Sequence, residues 1–229
     1  MNNKRYCRYQ RDFIEAMRKV LSEYEDKKQL GESAFNAYTE MNSLARHLFW
    51  ARLWKTINFL SRTGPYESVL DFGCGSGVML PLLSSFSKRV VGVDIDLRPY
   101  RAVSKYFEFT DNIETHEIKS GLAGCFDDHS FDVITALDVL EHVDDLKSVF
   151  EQFCRLGKKK GLVVVSGPTE NFLYKIGRKI SGKEYTGHYH RRNIYDVNKV
   201  MKQFMRTKTV FTLYYPVPLF KIYAGILGD

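Results

Sequence analysis

The stretch VLDFGCGSG, Val69 to Gly77, sets Gly73, Gly75 and Gly77 directly behind an apolar run that carries one acid, Asp71. Residues without a Cβ take positive φ at little cost and let a ligand approach the main chain closely. A helix starting there would turn its free N–H groups toward the same spot, where they favour anions and hydrogen-bond acceptors. A second acid, Asp94, closes the apolar run VVGVD about 20 residues further on. An ionised carboxylate can accept from two neighbouring donors at once; Asp96 is a near competitor for that place. Later in the chain, the tripeptide LEH brings Glu141 and His142, and EYTGHYHRR brings Tyr185, His188, Tyr189, His190, Arg191 and Arg192 together. Histidine titrates near neutral pH, so His142 and His188 are candidates for proton removal from a substrate. His188 and His190, two apart with no cysteine or second pair, fall short of a zinc site.

These groups need elements to position them. Asp71 ends the apolar stretch SVLDF, and Asp94 lies near the end of RVVGVDI. NIETHEI, FDVITAL and GLVVVSG are further strand-like runs, and helical patterns fall in VMLPLLSSF, RPYRAVSKYFEF and DDLKSVFEQFCRL. Apolar strands alternating with helices predict a parallel sheet covered on both faces. Ligands of such sheets bind at the carboxyl ends of the strands, near the topological switch point. The tail predicts a helix over NIYDVNKVMKQFM, capped by Asn193, then an antiparallel pair from TKTVFTLYY and PLFKIYAGI. Before the sheet come two amphipathic helices. Phe13, Met17, Val20, Leu21 and Tyr24 stripe the first; Phe35, Tyr38, Met41, Leu44, Leu48 and Ile57 stripe the second. TGPY, Thr63 to Tyr66, ends that pattern.

Composition bounds the rest. A chain of 229 residues supports one sizeable core, and 44% apolar with 27% charged residues is ordinary for a globular protein. Cys7, Cys74, Cys125 and Cys154 are scattered without a CxxC pair, which fits a reducing, cytoplasmic setting and speaks against a disulfide framework. The basic N-terminus lacks the apolar core of a secretory signal. No uncharged apolar run reaches the about 18 residues of a spanning helix. The net charge of +7 is compatible with an anionic partner and equally with solubility alone. In NFLYKIGRKISGK, apolar Phe172, Leu173, Ile176 and Ile180 oppose Lys175, Arg178, Lys179 and Lys183. Residues 170–183 could therefore rest on an anionic membrane surface, or be an ordinary core-facing helix.

A dinucleotide fingerprint, G-x-G-x-x-G, is met at Gly73 and Gly75, but its third position falls on Val78. The pattern Asp71-x-Gly73-x-Gly75-x-Gly77, Asp94 after the second strand, and SFDVITALDVLEHVDD, Ser130 to Asp145, resembles class I S-adenosylmethionine-dependent methyltransferases. The likeness is to the small-molecule branch that includes quinone-biosynthesis methyltransferases. It covers about residues 66 to 166, and GHYHRRNIYDVNKVM is similar to that branch's stretch before the last helix.

The resemblance implies an α/β, Rossmann-like fold: a seven-stranded, mostly parallel sheet with helices on both faces, the last strand antiparallel. It implies an N-terminal helical cap, residues 1–65, and a methyltransferase domain, residues 66–229, with a substrate-covering insert at 167–193. S-adenosyl-L-methionine is the implied cofactor. Gly73, Cys74, Gly75 and Gly77 would pass its amino-acid end and sugar, with Asp71 near the ammonium group, Asp94 at the ribose hydroxyls and Ile95 also in the cofactor site. The main chain at Ala136 and Leu137 would line the amino-acid end. Ser120 stands where the family often has an acid for the adenine amino group; Asp127 and Asp128 come later. The implied acceptor is small or lipid-like, methylated at oxygen or carbon, and the enzyme cytoplasmic with possible membrane contact at 170–183. Two other readings stay open. A nucleic-acid methyltransferase fits the charge but not ALDVL, which replaces the N/D-P-P-Y/F of base amino-group methylation. A non-catalytic cofactor-binding partner protein fits because methyl transfer needs few obligatory side chains.

Overall fold

The computed structural model describes residues 2–24, 30, 35–39, 43–119, 121–169, 192–214 and 217–228. Its strands are β1 (Tyr66–Phe72), β2 (Ser87–Asp94), β3 (Ile113–Glu117), β4 (Phe131–Leu137), β5 (Gly157–Pro168), β6 (Arg206–Tyr214) and β7 (Pro218–Ile226). They form a seven-stranded sheet in the order β3-β2-β1-β4-β5-β7-β6. The pairs β1–β2, β2–β3 and β4–β5 are parallel. β7 runs antiparallel to both β5 and β6, as expected of the last strand. The reason is the connection: residues 215–217 are too few for a crossover, so β6 and β7 form a hairpin. β1, β2, β4 and β5 carry runs of buried residues, whereas β3 and β6 are half-exposed along their length, as edge strands are. The chain divides into two compact units, Met1–Gly121 and Leu122–Asp229.

In the first unit, α1 (Asn3–Glu23) starts at Asn2, whose side chain accepts from the Arg5 N–H at 2.9 Å. Its inner face buries Tyr6, Phe13, Ala16, Met17, Val20 and Leu21. The second amphipathic stretch contains two described helices, α2 (Phe35–Thr39) and α3 (Ser43–Leu60). Within it Phe35, Tyr38 and Ile57 are buried as the stripe predicts, while Met41 lies outside the described residues. α3 stops where the N–H groups of Thr63 and Gly64 both turn back to the Leu60 carbonyl. After β1 comes α4 (Leu80–Ser84), and after β2 comes α5 (Arg98–Val103). α5 ends well before Phe109, where its pattern runs out. The Phe107 ring packs edge-on against Phe13 at 4.9 Å and Tyr9 at 5.8 Å, and Phe109 joins Phe13 and Tyr100. Burying these rings against α1 outweighs two more turns of helix.

In the second unit, α6 (Leu146–Leu156) is capped by Asp145, which accepts from the Ser148 N–H at 3.0 Å. It buries Leu146, Phe150, Phe153 and Leu156 at helical spacing. α7 (Ile194–Met201) opens with a capping box: Asn193 accepts from the Tyr195 and Asp196 N–H groups, and Asp196 accepts from the Asn193 N–H. The cap expected at Asn193 is thus present, and α7 buries Ile194, Val197 and Met201.

Candidate functional site

The parallel register of β1 and β2 brings their carboxyl ends side by side, pairing Asp71 with Gly92 and Phe72 with Val93. The chain leaving β1 stays bonded to β2, since the Gly73 and Cys74 N–H groups both donate to the Val93 carbonyl, at 2.8 and 3.0 Å. Gly73, Gly75 and Gly77 all have positive φ, at 77°, 53° and 81°. The last two differ in what surrounds them. A Cβ on Gly77 would lie 2.8 Å from the Tyr100 ring and 3.1 Å from that of Phe109, whereas a Cβ on Gly75 would meet nothing within 4 Å. Gly77 is therefore small for the sake of the protein's own packing, and Gly75 faces open space.

Asp94 fixes this open side. Its Oδ2 accepts the Gly75 N–H at 2.7 Å and its Oδ1 accepts the Asp96 N–H at 3.2 Å. Burial pushes its pKa up, and the N–H groups of Gly75, Asp96 and Ile95 hold it down. Asp96 does other work. It accepts the Arg98 N–H at 2.9 Å ahead of α5 and pairs with the Arg98 guanidinium at 2.7 Å, which lowers its pKa. Of the two acids, Asp94 is the one bonded to the glycine turn. Next to it Ile95 is 73% exposed, a large apolar side chain standing in water at a strand end. Cys74 is buried; burial pushes its thiol well above the ordinary value, with Asp71 and Asp94 adding to the rise.

Asp71 is 3% exposed and sits in a group that the sequence does not reveal. Arg52 of α3, also buried, donates from Nη2 to the Tyr38 hydroxyl at 3.0 Å. Burial raises the pKa of that hydroxyl, the Arg52 charge opposes the rise, and the Asp71 charge adds to it. The Tyr38 hydroxyl thus feels both the Arg52 cation and the Asp71 anion. A second unforeseen contact comes from α1, where the Tyr9 hydroxyl donates to the Val78 carbonyl, just beyond Gly77. Tyr9→Phe removes only this bond. We expect it to cost about 1 kcal/mol, a fall in Tm of about 2–4 °C; thermal unfolding with an unchanged Tm would show that α1 does not brace the turn.

At the end of β4 in the second unit, Leu137 is half-buried and Asp138 takes a positive φ of 55°. The Asp138 N–H still donates to the Ser166 carbonyl of β5 at 3.0 Å. A single 3₁₀ turn, Leu140–His142, follows, with Glu141 buried and His142 exposed. Arg192 clamps the end of this turn, donating to the carbonyls of Val143 and, at 2.9 Å, Asp144. Arg192 therefore acts as a brace. Asp128 is held by Arg155 at 2.6 Å. Ser120, Tyr185, His188, Tyr189, His190, Arg191 and the segment 170–183 lie outside the described residues.

A family model for the methyltransferase domain matches residues 10–205. The ubiquinone biosynthesis O-methyltransferase of Shewanella sp. (strain ANA-3) is 28% identical over 138 residues, 59% of this chain and 58% of that protein. The enzyme of the same name from Pseudomonas fluorescens (strain Pf0-1) is 29% identical over 140 residues, 59% of each chain. The match thus spans under two-thirds of the length of these relatives. Among solved structures, the N-methyltransferase NodS of Bradyrhizobium japonicum WM9 with S-adenosyl-L-homocysteine superposes with a TM-score of 0.61 at 12% identity, over 95% of this chain and 100% of the other. Magnesium protoporphyrin IX methyltransferase of Synechocystis PCC 6803 gives a TM-score of 0.60 at 16% identity, over 93% and 100%. These likenesses show the fold, and the family match covers most of the sequence: the chain belongs to the methyltransferase domain family.

Proposed function

We propose that the chain holds S-adenosylmethionine on the glycine turn and Asp94 and transfers its methyl group to a small-molecule acceptor, at oxygen or carbon. The observation that carries this is the Asp94 carboxylate, bonded to the Gly75 N–H at 2.7 Å beside a turn that is open at Gly75. Each carboxylate oxygen has lone pairs beyond the one taken by a backbone N–H, enough to accept from one ribose hydroxyl each. The exposed face of Ile95 offers an apolar surface for adenine, and Asp71 offers a negative charge for the ammonium group, with Arg52 at hand for the carboxylate. Gly73, Cys74 and Gly77 shape the passage, with Leu137 lining the amino-acid end and Ser120 taking the adenine edge. Bound there, the cofactor supplies an electrophilic methyl on a sulfonium. The protein's part is to orient the acceptor and exclude water. His142, exposed beyond β4, is the proposed proton acceptor for an oxygen nucleophile, with His188 a second candidate; a His142→Ala enzyme that turns over as wild type would remove that role.

Relatives named for ubiquinone biosynthesis and a fold neighbour named for magnesium protoporphyrin support a small or lipid-like acceptor. Among the described residues no helix is long and apolar enough to cross a membrane. Contact with a membrane surface through 170–183 remains part of this proposal. Thermal unfolding with S-adenosylmethionine, S-adenosylhomocysteine and NADH tests the cofactor. Ligand at about 100 times its Kd adds roughly 2.7 kcal/mol, a rise in Tm of about 5–10 °C. The rise is expected with the two sulfur ligands alone; a rise with NADH instead would overturn the assignment.

A further inference from the structure

Because β7 runs against β5, its first residues lie at the carboxyl edge of the sheet, with Pro168 opposite Phe220 and Gly167 opposite Lys221. The Lys221 ammonium stands 5.0 Å from the centroid of the Tyr195 ring and 5.8 Å from that of Tyr223. Among the described residues no carboxylate forms an ion pair with it. A lysine stem often lies along apolar surface with its head in water, but this head is drawn to two aromatic rings and donates a hydrogen bond to the Tyr223 hydroxyl. Tyr223 is buried, whereas Tyr195, in the first turn of α7, keeps 44% of its surface exposed. The place is close to the turn that carries His142. A Cβ on Gly167 would lie 3.6 Å from Glu141 Oε2 and 3.4 Å from Ile194, the residue before Tyr195. One strip of sheet edge is therefore bordered by the 140–142 turn on one side and by Tyr195 with Lys221 on the other.

We infer that Lys221 and the exposed face of Tyr195 form an acceptor-recognition subsite for a planar aromatic acid, the ammonium taking the carboxylate and the tyrosine ring stacking on the ligand. A positive charge that no described acid pairs with accepts an anionic ligand without first breaking such a pair, and a half-exposed ring is shaped for a flat molecule. A neutral acceptor of the same outline would leave the ammonium without an anion. That the ligand is the methyl acceptor rests on the function proposed above; that the strip selects an anionic ring does not.

The test uses the full chain with saturating S-adenosylhomocysteine and two probes of one shape, 3,4-dihydroxybenzoate and 3,4-dihydroxybenzamide, by titration calorimetry. One charge-assisted contact should make the acid bind about tenfold tighter than the amide at neutral pH. Lys221→Met should erase that preference, Lys221→Arg should keep it, and Tyr195→Ala should weaken both probes by a similar factor. Equal binding of acid and amide, no binding of the acid, or a preference that survives in Lys221→Met overturns the inference. The S-adenosylhomocysteine shift in Tm, read on the same samples, separates the two proposals. Its absence alongside an intact acid preference sinks the cofactor reading and leaves the anion subsite.

Discussion

Asp94→Ala is expected to abolish the rise in Tm that S-adenosylhomocysteine gives the wild-type chain, while the unliganded protein still unfolds cooperatively. The carboxylate offers two hydrogen bonds to ribose hydroxyls, each charge-assisted and worth about 1.5–3 kcal/mol. Losing both weakens binding by roughly a hundredfold or more. The fold depends on Asp94 much less, since its own bonds are to two backbone N–H groups at a strand end. Titration adds a signature that a mere packing defect would not produce. Burial raises the Asp94 pKa in the folded protein. A carboxyl raised in this way contributes stability below its unfolded pKa and loses that contribution as pH rises through the folded value. Ribose binding needs the ionised form, so affinity changes the other way. Between the ordinary aspartate pKa and the raised one, cofactor affinity should climb with pH while the Asp94 contribution to unliganded stability falls. Isothermal titration for affinity and thermal unfolding for stability across that window, on wild type and Asp94→Ala, check both slopes; parallel slopes in the two proteins would show that Asp94 is not the group that binds.

The parts of this site that can be read from the sequence are those set by short-range rules. β1, β2, β4 and β5 are apolar on both faces, so their strands stand out, and the glycine turn and Asp94 are placed by the strands they follow. The hairpin of β6 and β7 follows from the few residues between them. Arg52, Tyr38 and Tyr9 are different. Tyr38 fits an apolar stripe, and nothing near Arg52 distinguishes a buried arginine from a solvated one. Tyr9 looks like any partly polar helix residue until α1 meets the chain beyond Gly77. Likewise Lys221 reads as a strand residue, because the rings it faces come from α7 and from two residues further along β7. Each of these depends on contacts between distant segments, which local patterning does not encode. The early end of α5 has the same origin, in rings that gain more from α1 than from further helix.

Two alanine substitutions two residues apart should separate what the glycine turn does for the fold from what it does for the ligand. Gly77→Ala strains a backbone at φ 81° and drives a Cβ to 2.8 Å from Tyr100 and 3.1 Å from Phe109. The left-handed conformation costs a residue with a Cβ about 1–2 kcal/mol, and shifting packed rings costs about 1–3 more. A fall in Tm of roughly 4–20 °C is expected, with cofactor binding reduced only as far as the turn is distorted. Gly75→Ala carries the same kind of backbone strain, at φ 53°, but its Cβ meets no protein atom within 4 Å. Its unliganded Tm should fall by only about 2–8 °C, the share due to strain alone. Its new methyl, however, enters open space at the residue whose N–H Asp94 accepts. If that space holds the cofactor, the S-adenosylhomocysteine shift should be lost in Gly75→Ala and retained, from a lower baseline, in Gly77→Ala. Differential scanning fluorimetry of both variants with and without ligand reads the contrast directly. A Gly75→Ala protein that binds as wild type would mean the open side of the turn faces plain solvent, and the case for Asp94 as a ribose ligand would fall with it.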